Sequence, residues 1–121
     1  MIKVMIVDDS RIFRKMLRAA FVETGNEVIG EAGNGQEALE LLKNCKPDLV
    51  TLDITMPVMD GIDALREIKE LYPEQKVIMV SAAGKKGKVI EALKLGAKDF
   101  IQKPFDPDDI AAVINKLFPN T

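Results

Sequence analysis

Short unbroken apolar runs alternate along the chain with longer stretches in which apolar residues return every three or four positions. The runs are Lys3-Val4-Met5-Ile6-Val7, Val28-Ile29-Gly30-Glu31-Ala32, Leu49-Val50-Thr51-Leu52-Asp53, Lys76-Val77-Ile78-Met79-Val80-Ser81 and Asp99-Phe100-Ile101-Gln102-Lys103. A continuous apolar run bounded by turn residues predicts a strand buried on both faces. The second run is interrupted by Gly30 and Glu31, so its strand belongs toward a sheet edge. Between the runs lie helical stripes: Phe13, Met16, Leu17, Ala20 and Phe21; then Ala38, Leu41, Leu42 and Cys45; then Leu65, Ile68 and Tyr72; then Val89, Ala92 and Leu93; and last Ile110, Val113, Ile114, Leu117 and Phe118. Each follows the i, i+3, i+4 spacing of one buried helix face.

The punctuation agrees with that division. Gly25 ends the first helix. Asn34 is placed to cap the second, with Glu37 at the capping-box position, and Pro47 ends it. The third helix runs from about Gly61 to Leu71 and is closed by Pro73. Residues 82–87 form a loop before a helix that lasts until Gly96. Asp106 caps the last helix, with Pro107 at its first position and acid in its first turn, leaving Pro119-Asn120-Thr121 beyond. Five strands alternating with five helices require crossovers, which make the sheet parallel and lay right-handed connections on both its faces. The expectation is one doubly wound α/β domain over residues 1–121.

Composition narrows the class. The chain has 121 residues, 47% hydrophobic and 30% charged, the mix of a folded domain with one sizeable core. With 17 Lys+Arg against 19 Asp+Glu the net charge is −2, so nucleic acid is not an expected partner. The longest apolar run, residues 77–83, falls far short of the roughly 20 residues of a membrane span. The start of the chain enters a strand pattern directly, and no signal peptide is expected. These features together predict a cytoplasmic protein. Cys45 is the only cysteine, so no internal disulfide can form; its place on an apolar stripe predicts a packed thiol. The sequence contains no histidine, which excludes serine–histidine catalysis and ordinary zinc sites.

The remaining chemistry gathers at one place. Four strands end in polar groups: Asp8 and Asp9, Asp53, Ser81 and Lys103. In a parallel sheet those ends share a rim, and ligands bind in the crevice beyond it. Singly, Asp9 or Ser10 reads as a helix cap, Asp53 as a turn residue, Ser81 as a loop hydroxyl and Lys103 as a solvated charge. Together they crowd three carboxylates, which raises at least one pKa unless a cation neutralises them. Oxygen ligands without imidazole or thiolate suit Mg²⁺.

The segments Val7-Asp8-Asp9-Ser10, Leu52-Asp53-Ile54-Thr55-Met56-Pro57-Val58-Met59-Asp60-Gly61, Val80-Ser81-Ala82, Gly96-Ala97-Lys98-Asp99-Phe100 and Lys103-Pro104-Phe105 resemble the receiver domain of two-component response regulators. Within that family the chain is most similar to stand-alone chemotaxis regulators of the CheY type. The resemblance implies strand order 2-1-3-4-5 and a cis Lys103–Pro104 bond. It implies that Asp53 accepts a phosphoryl group from a phosphohistidine, and that Asp9, Asp53 and the Thr55 carbonyl hold Mg²⁺ directly, with Asp8 acting through water. Ser81 and Lys103 would bond phosphoryl oxygens. Phe100 stands at the family's aromatic switch position, where a tyrosine hydroxyl is often found and here is missing. A sensor histidine kinase or phosphotransfer protein is the implied donor. The implied output is a downstream protein, the flagellar switch among the candidates, bound by a monomer that is not itself an enzyme. Alternatives inside the family are a sporulation-type phosphorelay intermediate and the receiver of a longer transcription factor. A Mg²⁺-dependent aspartyl-phosphate hydrolase would share Asp53, but Asp53-Ile54-Thr55 lacks the second aspartate of the haloacid-dehalogenase pattern and the chain has no length for a cap domain. A flavodoxin-like cofactor binder would need a phosphate loop where Asp8-Asp9-Ser10-Arg11 repels anions.

Overall fold

A computed structural model describes residues 1–119. In chain order the elements are β1 (Lys3–Val7), α1 (Arg11–Glu23), β2 (Glu27–Ala32), α2 (Gly35–Leu42), β3 (Leu49–Asp53), α3 (Gly61–Leu71), β4 (Lys76–Ser81), α4 (Lys86–Lys94), β5 (Asp99–Gln102) and α5 (Pro107–Leu117). The strands form one parallel sheet in the order β2-β1-β3-β4-β5, as the resemblance implied, and β2 is an edge. The Lys103–Pro104 bond is cis.

Side chains alternate across each strand, so the sheet has two cores. On one face Met5, Val7, Val50, Leu52, Val77 and Met79 meet α2, α3 and α4 through Ala38, Leu42, Leu65, Ile68, Val89 and Ala92. On the other, Ile2, Val4, Ile6, Leu49 and Ile78 meet α1 and α5 through Leu17, Phe21, Ile110, Val113 and Ile114. Among the described residues, no helix is long and apolar enough to cross a membrane.

Several local readings need correction. Met16 and Leu93, placed on buried stripes, are exposed; the flanking apolar positions already fill the space under their helices. Helix α2 stops at Leu42, well before Pro47, so Cys45 packs against the core from the following turn instead of from the helix. Asn34 caps α2 by accepting from the Glu37 N–H at 2.9 Å, but Glu37 reaches past the cap and accepts from the Gly33 N–H at 2.8 Å. Tyr72 and Phe118 are C-cap residues, not helical ones. Strand β5 ends at Gln102, which puts Lys103 in the turn after it. Helix α4 starts at Lys86, inside the segment read as loop, and no side chain caps it. The reciprocal capping box is found on α5, between Asp106 and Asp109. Asn120 and Thr121 of the expected tail lie outside the described residues.

Candidate functional site

The carboxyl ends of β1 and β3 are neighbours, since Val7 pairs with Leu52. Asp8 follows β1, and its N–H donates to the Ala32 carbonyl at 3.0 Å, so the main chain is fixed before it leaves the sheet. Asp8 Oδ1 accepts from the Ser10 N–H at 2.8 Å, and Ser10 Oγ accepts from the Phe13 N–H at 3.2 Å. Ser10 is therefore the cap of α1, and Asp9 is released from that duty. Asp53 is likewise free, because the cap of α3 is Asp60, which accepts from the Asp63 N–H at 2.9 Å.

The turn after β3 is tight. A Cβ on Gly61 would lie 2.0 Å from the Asp53 carbonyl oxygen, so only glycine lets α3 start there. The Gly61 N–H donates to the Ile54 carbonyl at 2.8 Å and closes the turn. Three residues before Gly61, Val58 holds a positive φ of 67° while the Met59 N–H donates to the Pro57 carbonyl at 2.7 Å. That is a γ-turn about a β-branched residue, a strained arrangement.

Carboxylate oxygens of Asp8, Asp9 and Asp53 all lie within 4.8 Å of one another. Lys103 Nζ sits 2.8 Å from Asp8 Oδ2 and 3.5 Å from Asp53 Oδ2. Its side chain is only 11% exposed, so it is not a solvated surface charge. Ser81 is buried at the end of β4, and its carbonyl accepts from the Lys103 N–H at 2.7 Å. One short bond thus ties the hydroxyl-bearing and the lysine-bearing ends of two strands together.

Burial pushes the Asp53 carboxyl up from 3.8 to about 6; the Asp8 charge adds to the rise, Lys103 opposes it, and Asp9 adds a smaller increment through charge and a hydrogen bond. The predicted rise in a crowded carboxylate pKa falls on this residue. A divalent cation fits the donor set. All three side chains offer oxygen, and Asp8 Oδ2 is fully buried, accepts no hydrogen bond and faces the Lys103 ammonium as an ion pair. Lys103 stands in for part of the positive charge that three carboxylates require.

Thr55 is exposed in the turn two residues past Asp53. Phe100, on β5, is 42% exposed and lines a groove with Ser81, Lys85, Ile90, Leu93 and Gln102. Ser81 therefore belongs both to the rim and to the groove that leads to Phe100.

Two site residues went unread in the sequence. The Lys103 ammonium lies 4.1 Å from the centre of the Phe13 ring, a residue counted only as part of a buried stripe. Arg14 donates through Nη1 to the Asp8 carbonyl and pairs with Glu31 at 3.4 Å. The arginine faces the rim one turn into α1, a placement visible only once Ser10 is known to be the cap.

A doubly wound parallel sheet thus carries an acidic crevice, a lysine and a buried hydroxyl residue at its carboxyl rim. The chain belongs to the response regulator receiver domain family, whose model matches residues 4–115. It is 52% identical over 115 residues to the chemotaxis protein CheY of Thermotoga maritima, covering 95% of this chain and 96% of that one. Among solved structures it is similar to a CheX–CheY–BeF₃–Mg²⁺ complex from Borrelia burgdorferi, with a TM-score of 0.91, 43% identity, and 96% of this chain and 88% of that one covered. NtrX of Brucella abortus, solved with ADP, also gives a TM-score of 0.91 at 32% identity; the match covers 98% of this chain but 27% of NtrX.

Proposed function

We propose that this receiver accepts a phosphoryl group on Asp53 from the phosphohistidine of a sensor kinase or phosphotransfer protein, and that the modified protein binds a downstream partner in chemotaxis-type signalling. The observation that carries the reading is the meeting of three carboxylates within 4.8 Å with one ammonium shared by Asp8 and Asp53. Likeness along nearly the whole chain to chemotaxis proteins supports the pathway. It is read as a cytoplasmic monomer with one receiver domain and no chemistry on a released substrate.

Asp9, Asp53 and the Thr55 carbonyl would hold Mg²⁺, with Asp8 through water. Bound there, the ion supplies neutralisation of carboxylate and phosphoryl charge. Asp53 is the nucleophile: its oxygen bonds to phosphorus as the P–N bond breaks, and that electron pair leaves with the imidazole nitrogen. Lys103 follows the charge, giving up part of its contact with Asp8 for a phosphoryl oxygen. Ser81 donates to another. The product puts about two negative charges and three acceptors where one carboxylate stood. Drawing Ser81 toward them alters the groove that it shares with Ile90, Leu93 and Phe100. Because Phe100 carries no hydroxyl, the readout there is apolar packing and not a hydrogen bond. The uncapped start of α4, with Lys85, Lys86 and Lys88 opposing the positive helix end, is the segment least anchored against such a shift.

With Mg²⁺ and a small phosphodonor the protein gains one acyl phosphate, labile to hydroxylamine. Asp53→Asn abolishes it, and undiminished labelling of that variant refutes the site. A panel of phosphorylated kinases from the source organism then identifies the donor by transfer rate.

A further inference from the structure

We infer that Phe13 is a positioning residue for Lys103, its ring face holding the ammonium at the rim while the carboxylate partners of that lysine change. This rests on the receiver reading of the acidic site. Phe13 occupies the third position of α1, fixed there by the bond from its N–H to Ser10 Oγ at 3.2 Å. Helical side chains lean toward the helix start, and here the start is the rim. The ring is braced by Phe105, 6.2 Å away between centroids and tilted by 38°. Phe105 lies two residues past Lys103, so the same pair ties α1 to the turn that carries the lysine.

Among the described residues, the Lys103 ammonium meets Asp8 Oδ2 at 2.8 Å, Asp53 Oδ2 at 3.5 Å and the Phe13 ring at 4.1 Å. The first two are anions whose pull changes as the site is used. Neutralisation of the carboxylates weakens both, and phosphorylation of Asp53 replaces one of them. The ring is uncharged, and its attraction for a cation is unaffected by either event. Without it, a lysine released from Asp8 has a long flexible stem with many rotamers, and must be ordered again when a phosphoryl oxygen arrives. A leucine would fill much of the same volume but presents no electron-rich face; a tyrosine presents the same one.

The test is affinity for beryllofluoride in saturating Mg²⁺, measured by titration calorimetry on the full chain. Phe13→Leu should weaken binding about 3- to 30-fold, and Phe13→Tyr should stay within about twofold of the parent. A cycle of labelling rates with a small phosphodonor separates the lysine contact from packing against Phe105. Phe13→Leu should slow the parent by a similar factor and change Lys103→Ala by less than about twofold. The inference is overturned if the leucine variant binds as tightly as the parent, if tyrosine is as weak as leucine, or if the leucine effect is undiminished without Lys103. A parent chain that does not bind beryllofluoride, or an Asp53→Asn variant that still does, overturns the receiver reading itself and this inference with it.

Discussion

Replacing Asp53 by asparagine takes one charge from a site where two other carboxylates remain, and the structure sets the size and sign of the effect on stability. Asp53 is 7% exposed, and its carboxyl is held up from 3.8 to about 6, chiefly by burial and then by the Asp8 charge. At about 1.36 kcal/mol per pH unit, a rise of that size has a ceiling of about 3 kcal/mol. The neighbouring Asp9 is exposed to water, so screening reduces the working value to about 1–2 kcal/mol. The native state binds this proton more tightly than the unfolded chain does. Stability therefore falls as pH rises through the window from 3.8 to about 6 and stays flat above it. Asparagine has no proton to lose. Its advantage over the parent should be absent below that window, grow across it and be complete by about pH 7. Lys103 loses its 3.5 Å contact with Asp53 but keeps Asp8 at 2.8 Å, so little is lost in return. In urea titrations with a chelator present, the variant's midpoint should lie higher by about 0.5–1.5 M near neutral pH. Excess Mg²⁺ should narrow or reverse that gap, because the parent then gains binding energy through the carboxylate that the variant lacks. An asparagine variant no more stable at neutral pH, or one whose advantage is as large below the window as above it, refutes the reasoning.

Two further substitutions test features away from the chemistry. Val58→Gly relieves a positive φ of 67° at a residue 84% exposed, and should raise stability by about 0.5–1 kcal/mol after the extra entropy of glycine; a lower thermal midpoint would contradict the strain. Thr51 is fully buried on the middle strand and its Oγ1 has no hydrogen-bond partner among the described residues. Thr51→Val keeps the shape and removes the stranded hydroxyl, so denaturant unfolding should show a gain of about 1 kcal/mol, and an equal loss would mean that the hydroxyl has a partner in solution.

How much of this was legible in the sequence depended on whether a residue acts through its place in the chain or through a neighbour. Strand ends are set by the chain: once the apolar runs are taken as parallel strands, Asp8, Asp53 and Ser81 must come to one rim, and they do. The sheet order came from the resemblance, since periodicity alone does not say which strand lies beside which. Met16 and Leu93 were misplaced because a helical stripe is wider than the space beneath it, and burial is settled by what the adjacent turns already fill. Helix starts were legible where a side chain caps them, at Asn34 and Asp106, and were missed at α4, where none does. Gly61 could be read as the start of the third helix, but the 2.0 Å approach of its absent Cβ to the Asp53 carbonyl is a property of two chain segments at once. The same holds for Phe13. Its spacing made it a core residue and it does pack against the core, yet the atom that gives it a further role is an ammonium ninety positions away in sequence. The carboxylates could be found singly because their chemistry is carried by the residue itself. The groups that support them touch the site only through a second residue, so the folded chain was needed to bring them into view.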